Sequence, residues 1–244
     1  MKARAVFLIV ASAVCLNAPR AHDLITAQTA ERFLREIDDN VKIARSKEPP
    51  ARRAAAQLAL GRTLDEVGEL LNRDIAAHGK PQGLPTLYLI QALETRGIAP
   101  RASPISSRVT PNLAYYREAM GLDPDGSVGA EAAFRLLHAY FYDSFEDDPL
   151  KPRNQSWAQL QEQIELGESL LRRAPPSIDR EEAEFILAVH YLQAATSGLD
   201  ERSRARFGVK AREYLAVFRG RYPESMRLPA LEMLTERVQT ARSR

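Results

Sequence analysis

The chain reads as an all-α protein whose helices form antiparallel pairs stacked as a solenoid. Three observations predict this. Apolar residues recur at helical spacing from Ile25 onward. No segment shows the strict alternation of a half-buried strand. Successive helices stop at proline-marked turns, at Pro124, Pro175 and Pro223.

The first 21 residues read differently. Lys2 and Arg4 precede an uncharged run from Ala5 to Leu16, and the small residues Ala18 and Ala21 follow. The run is long enough for the core of a signal peptide but short of the roughly 20 apolar residues that span a bilayer. Residues 1–21 are therefore expected to be a signal peptide, and the mature chain to be periplasmic or secreted with no integral membrane span. Cys15, the single cysteine, lies inside that run, and Val14 before it fits a lipoprotein signal poorly. Its removal leaves no thiol for a disulfide, a nucleophile or a metal. Removal of Lys2, Arg4 and Arg20 also leaves 31 basic residues against 32 acidic ones. A nucleic-acid partner needs a clustered surplus of Lys and Arg, which this balance does not supply.

Residues 22–97 read as an N-terminal helical region. Ile25 to Ala44 is amphipathic and is punctuated by Pro49 and Pro50. Ala51 to His78 is a long helix rich in Ala and Leu, stopped by Gly79 and Pro81. Leu84 to Gly97 is shorter and more apolar. Ile98 to Pro111, with three prolines and three serines, is the expected linker.

Residues 112–244 read as paired helices. The first leads into Asp123-Pro124. The next, Gly129 to Phe145, places Ala133, Leu136, Leu137, Tyr140 and Phe141 at the spacing of one buried face. Ser156 and Gln159 have capping-box spacing ahead of a helix that ends at Pro175 and Pro176. Asp179 and Glu182 have N-cap and N3 spacing ahead of another. Ser203 to Arg221 ends at Tyr222-Pro223, and a last helix starts near Met226. At a shift of 51 residues Pro124 meets Pro175, and Glu131, Ala132, Phe134 and Tyr140 meet Glu182, Ala183, Phe185 and Tyr191. Proline lacks an N–H and cannot continue a helix, so the recurring ending marks the turn of a helix pair. One such pair cannot bury its apolar face alone, and stacking supplies the missing wall.

The stretch around Phe218, Tyr222, Pro223 and Ser225, with Ala230 in the following helix, resembles tetratricopeptide-type repeats of bacterial cell-envelope proteins. Similar units occur in outer-membrane assembly lipoproteins and in the periplasmic cell-division coordinator. The segment at Asp123-Pro124 resembles a looser copy. The likeness covers Pro111 to Val238, while the usual tryptophan-leucine-glycine-tyrosine signature is absent. It implies an exported helical scaffold that binds other proteins; envelope proteins are the expected partners and the outer membrane an expected site of association.

Few residues suggest chemistry. Asp123 begins a DPDGS segment, but an EF-hand loop counted from it would put Val128 where glycine is needed and Phe134 where glutamate is needed, so a capped turn is expected. His22, His78, His138 and His190 are scattered, and no metal or cofactor is expected. Adjacent carboxylates such as Asp147 and Asp148, or Glu181 and Glu182, do not face each other on a helix. No G-x-S-x-G, P-loop, HExxH or GxGxxG motif occurs. Tyr115, Tyr116, Phe134, Tyr140, Phe141, Tyr142 and Phe145 crowd one region, either as a wide core or as a partner anchor. Tyr142 or Phe145 is the aromatic expected to reach the surface, and both are candidates for a partner groove together with Tyr116, His138 and His190. The expected function is a non-enzymatic protein-interaction scaffold gripping a peptide or helix. The competing expectation is a small-ligand protein or enzyme with a pocket at the junction near 98–111.

Overall fold

A computed structural model describes residues 24–98, 101–102, 108–110, 112–145, 148–152, 155–173 and 178–242. The expected signal peptide, most of the expected linker, and Pro175 and Pro176 lie outside these residues. The described residues are mostly helical: α1 (Ala27–Ala44), α2 (Pro50–His78), α3 (Leu84–Thr95), α4 (Ala114–Leu122), α5 (Ser127–Tyr142), α6 (Trp157–Arg173), α7 (Arg180–Thr196), α8 (Glu201–Arg221) and α9 (Leu228–Arg242). Their one departure from all-α is a two-residue antiparallel pairing of β1 (Arg101–Ala102) with β2 (Val109–Thr110). It falls in the segment expected to be a linker.

Helix starts follow local chemistry. Ser156 and Gln159 form the expected reciprocal cap, with the Gln159 amide donating to Ser156 Oγ at 3.2 Å and the Ser156 amide to Gln159 Oε1 at 2.8 Å. Asp179 accepts the Glu182 amide at 3.0 Å. Asp123 accepts the amides of Val128 and Gly129 at 3.1 and 3.2 Å, so DPDGS is a cap. Several starts differ from expectation by a residue or two, α1 beginning at Ala27 and α5 at Ser127. Pro50 is the first residue of α2, where its missing N–H costs nothing. Asp200 caps α8 by accepting the Ser203 amide at 2.9 Å, two residues earlier than expected.

The chain divides into two compact units. One comprises the described residues up to Asp38 and from Thr63 to Thr110; the other comprises Asp39–Arg62 and Asn112–Arg244. In the first, Phe33, Ile37, Val67, Leu71, Leu89 and Leu93 are buried. Asn72 clamps β2 from both sides, donating to the Val109 carbonyl at 3.0 Å and accepting its amide at 2.6 Å. Arg96 holds Asp38 through two bonds, of 2.8 and 2.9 Å.

In the second unit, α4 packs on α5, α6 on α7 and α8 on α9. Helices on either side of each expected proline turn are in contact, but α7 packs still more extensively on α8, across a turn without proline, so the contacts do not single out the expected pairs. α5 also meets α6 and α7, and α7 meets α8 and α9. Residues 39–62, read from sequence as part of the N-terminal region, belong here. The reason is packing: Leu58 joins Tyr116, Ala119, Ala132 and Leu136 in one buried cluster. Arg62 pairs with Glu131 at the surface, a contact that contributes about 1 kcal/mol at most. Burying a side chain the size of Tyr116 contributes about 1.5–3 kcal/mol, so the core decides the grouping.

Gly61 makes that packing possible. A Cβ there would overlap the ring of Tyr116, which is buried and has nowhere to move. Alanine in place of a helical glycine normally gains about 1 kcal/mol. At Gly61 the overlap should exceed that gain, and Gly61→Ala should destabilise by roughly 1–3 kcal/mol, lowering Tm by several degrees. Gly121 in α4 faces open space, so Gly121→Ala should leave Tm unchanged or raised. Thermal melts of the two variants check the opposite signs.

Candidate functional site

The last turns of α5 carry two rows of side chains. Ala133, Leu137 and Phe141 are buried. Beside them Phe134, His138 and Tyr142 follow at i, i+4 and i+8, on one edge of the helix. The His138 and Tyr142 rings lie 4.5 Å apart, and Phe134 lies 6.3 Å from His138. α5 ends at Tyr142, so Phe145 sits just past it, 5.0 Å from Phe141 and 6.4 Å from Tyr142. Tyr142 is 42% exposed and Phe145 is partly buried.

The first turn of α7 supplies the polar half of the site. The Tyr142 hydroxyl donates to Glu182 Oε1 at 2.7 Å. Arg227, from the turn before α9, donates to Glu182 Oε2 at 2.8 Å and to Glu181 Oε1 at 3.2 Å. Ser225 of the same turn donates to Glu181 Oε1 at 2.6 Å and accepts the Arg227 amide at 3.0 Å. The ends of three helix pairs are thus tied together.

These contacts set the protonation states. Burial, reinforced by the bond to Glu182 and its charge, pushes the Tyr142 hydroxyl far above the usual tyrosine range and keeps it a neutral donor. Burial also lowers His138, against the opposing pull of Glu182. Burial works against the charge of Arg227, but Glu182 and the other acids around it hold its pKa above the usual arginine value. His138 Nε2 lies 3.8 Å from Glu182, too far for the short hydrogen bond that orients a catalytic imidazole. The arrangement presents a fixed aromatic surface with an ion-paired carboxylate behind it. Among the described residues no group of His, Cys, Asp and Glu could hold a metal ion, and no helix is long and apolar enough to cross a membrane.

Two of the residues expected to meet a partner are placed elsewhere. Tyr116 is a core side chain beneath Gly61. His190 is fully buried, 5.7 Å from Phe141, with Nδ1 2.8 Å from Gln193 Oε1. Gln193 donates its own amide to the Pro149 carbonyl at 2.6 Å, so its oxygen faces His190 and Nδ1 carries the proton. Tyr142 lies beside both His138 and Phe145 at the end of α5. Glu182, Arg227 and Glu181 were not foreseen as site residues. In the sequence Glu182 reads as part of a cap, and nothing in the spacing marks Arg227. Ser225, part of the Tyr-Pro-x-Ser ending at Tyr222, is the one available signal.

No protein-family model, curated protein or solved structure matches the chain.

His190 gives the unit a pH dependence. Burial lowers its pKa from 6.5 to about 4, and the Gln193 bond only partly opposes this. The unfolded chain therefore takes up a proton near 6.5 while the folded chain does not. The contribution to stability is complete above that pH and is lost as pH falls towards about 4, by up to roughly 3 kcal/mol. Urea unfolding near neutral pH and near pH 4.5 should show a larger loss for the wild type than for His190→Gln, which keeps a donor for Gln193. Equal losses would contradict this assignment.

Proposed function

We propose that the chain is an exported, non-enzymatic protein-interaction scaffold of the bacterial envelope. Its helix pairs are of tetratricopeptide type, and it holds a peptide or helix of an envelope partner against the patch formed by His138, Tyr142 and Phe145. The observation that carries this reading is Tyr142. It is a large aromatic side chain, substantially exposed, whose hydroxyl is pinned by Glu182 and whose ring is braced by His138. Aromatic residues held in place before binding are typical energetic anchors of interfaces, because little side-chain freedom remains to be lost.

Two further features support the reading. The succession of helix pairs, with α5 against α7 and α7 against α9, is the contact pattern expected where paired helices stack on the next pair. The ionisable groups around Tyr142 are engaged with one another: Glu182 by Tyr142 and Arg227, Glu181 by Ser225 and Arg227. Such a network fixes a surface.

The test is crosslinking and recovery from envelope fractions, using the full-length protein with a C-terminal tag. A defined envelope protein should be recovered with the wild type. Tyr142→Ala should reduce its affinity by about thirtyfold, the loss of one interface hot spot. Tyr142→Phe, which keeps the ring and loses the bond to Glu182, should fall between the two, weaker than wild type by about fivefold. Recovery unaffected by Tyr142→Ala in a chain that still melts cooperatively, or recovery of no envelope protein at all, would overturn the proposal.

A further inference from the structure

A separate group of polar side chains uses none of the residues of the Tyr142 patch. The end of α1, the first half of α2 and the start of α4 enclose a half-open cavity of about 510 Å³, within the second unit. That size suits a small molecule. Val41, Ala44 and Leu60 give it apolar walls. Its polar lining comes from Arg45, Arg53, Gln57, Asn112, Tyr115 and Glu118.

The polar groups are unevenly used. Arg53 donates through Nε to the Ala44 carbonyl at 3.3 Å, which positions the guanidinium and leaves its terminal nitrogens free of a carboxylate. Among the described residues neither Arg53 nor Arg45 forms an ion pair. Asn112 uses its oxygen to accept the Ala114 amide at 3.2 Å, and its NH₂ group bonds to no described residue. Burial raises the pKa of Tyr115, with Arg45 opposing, so its hydroxyl stays a donor. These are the donors. The acceptors are Glu118 and Gln57. Gln57 is buried and donates its amide to Glu118, while its Oε1 has no hydrogen-bond partner. A buried acceptor left unmatched is the exception in folded proteins and marks a place where a donor is missing.

We propose that this cavity binds a small zwitterion, with its carboxylate on Arg45 and Arg53 and its ammonium or N–H group on Glu118 and Gln57. Free amino acids and short peptides have this chemistry. Guanidinium groups suit a carboxylate. The negative charge of Glu118 in the same cavity disfavours a simple anion and favours a ligand that carries its own positive end.

Calorimetric titration of the full chain tests the proposal, with the free L-amino acids and a set of dipeptides as probes, and with acetate and inorganic phosphate as anions lacking a donor end. At least one zwitterion should bind saturably and at least about tenfold more tightly than acetate or phosphate, the effect of one charge-assisted hydrogen bond. Arg45→Gln, Arg53→Gln and Gln57→Leu should each weaken that zwitterion by about the same factor. Arg45 is exposed and its side chain makes no hydrogen bond to a described residue, so Arg45→Gln decides the matter if another variant fails to fold. The proposal is overturned if no zwitterion saturates below about 10 mM, if acetate or phosphate binds as tightly, or if Arg45→Gln leaves the affinity unchanged.

Discussion

From Glu182 to Ala195 every residue of α7 is buried, so the polar groups it carries have to look for partners inside the protein, and all but Glu184 Oε2 and His190 Nε2 find one. A buried donor or acceptor left alone costs about 1–3 kcal/mol, and a charge costs more. The neighbours of α7 are arranged accordingly. Arg180 and Arg221 meet Glu184, and Tyr142 and Arg227 meet Glu182. The Pro149 carbonyl meets Gln193, and Tyr191 donates to Glu168 of α6. Around these contacts α7 offers an unbroken apolar run, Phe185 to Val189, to the helices that wrap it. A helix apolar on all sides has to be surrounded, and the order of the helices around it follows.

Glu182 and Glu184 stand two residues apart and so point to different sides of α7. One meets the end of α5 and the turn before α9; the other meets the end of α8. These ion pairs add less to stability than the apolar core, because taking the carboxylates out of water offsets much of the attraction. What they supply is position. A slip of α7 by one residue would turn both acids towards the wrong neighbours and strand two charges, while the apolar run would lose far less. The buried acids thus fix the register that the apolar surface alone leaves loose.

The number and order of the helices were legible because each carries its own signal: helical spacing along the body, Ser156 with Gln159 or Asp179 at the start, Gly79 or Pro223 at the end. The buried row of α5 was legible for the same reason. Tyr116 and His190 were not, because an aromatic or histidine looks the same whether it meets a partner or a core. Their burial depends on Gly61 in one case and on Gln193 and Pro149 in the other, both brought in by tertiary packing. The membership of residues 39–62 was hidden too. α2 is one continuous helix in sequence, and only packing shows that its first half belongs with α4. The site itself was half visible. Its aromatic side comes from one helix, whereas Glu182 and Arg227 come from elements about 40 and 90 residues away in the chain.

The exposed ring of Tyr142 follows from the same arrangement. α5 gives its Ala133, Leu137 and Phe141 edge to α7, and the adjacent edge, with Phe134, His138 and Tyr142, falls at the rim of the contact. An aromatic side chain at a rim would ordinarily sample several rotamers. The bond to Glu182 removes that freedom, and Glu182 is itself immobilised by Arg227 and by its place in the first turn of a fully buried helix. The ordering entropy of the ring, a cost of up to roughly 1–2 kcal/mol for a side chain, is therefore met when the protein folds and not when it binds. On the proposed function, a partner would meet a ring that is already ordered.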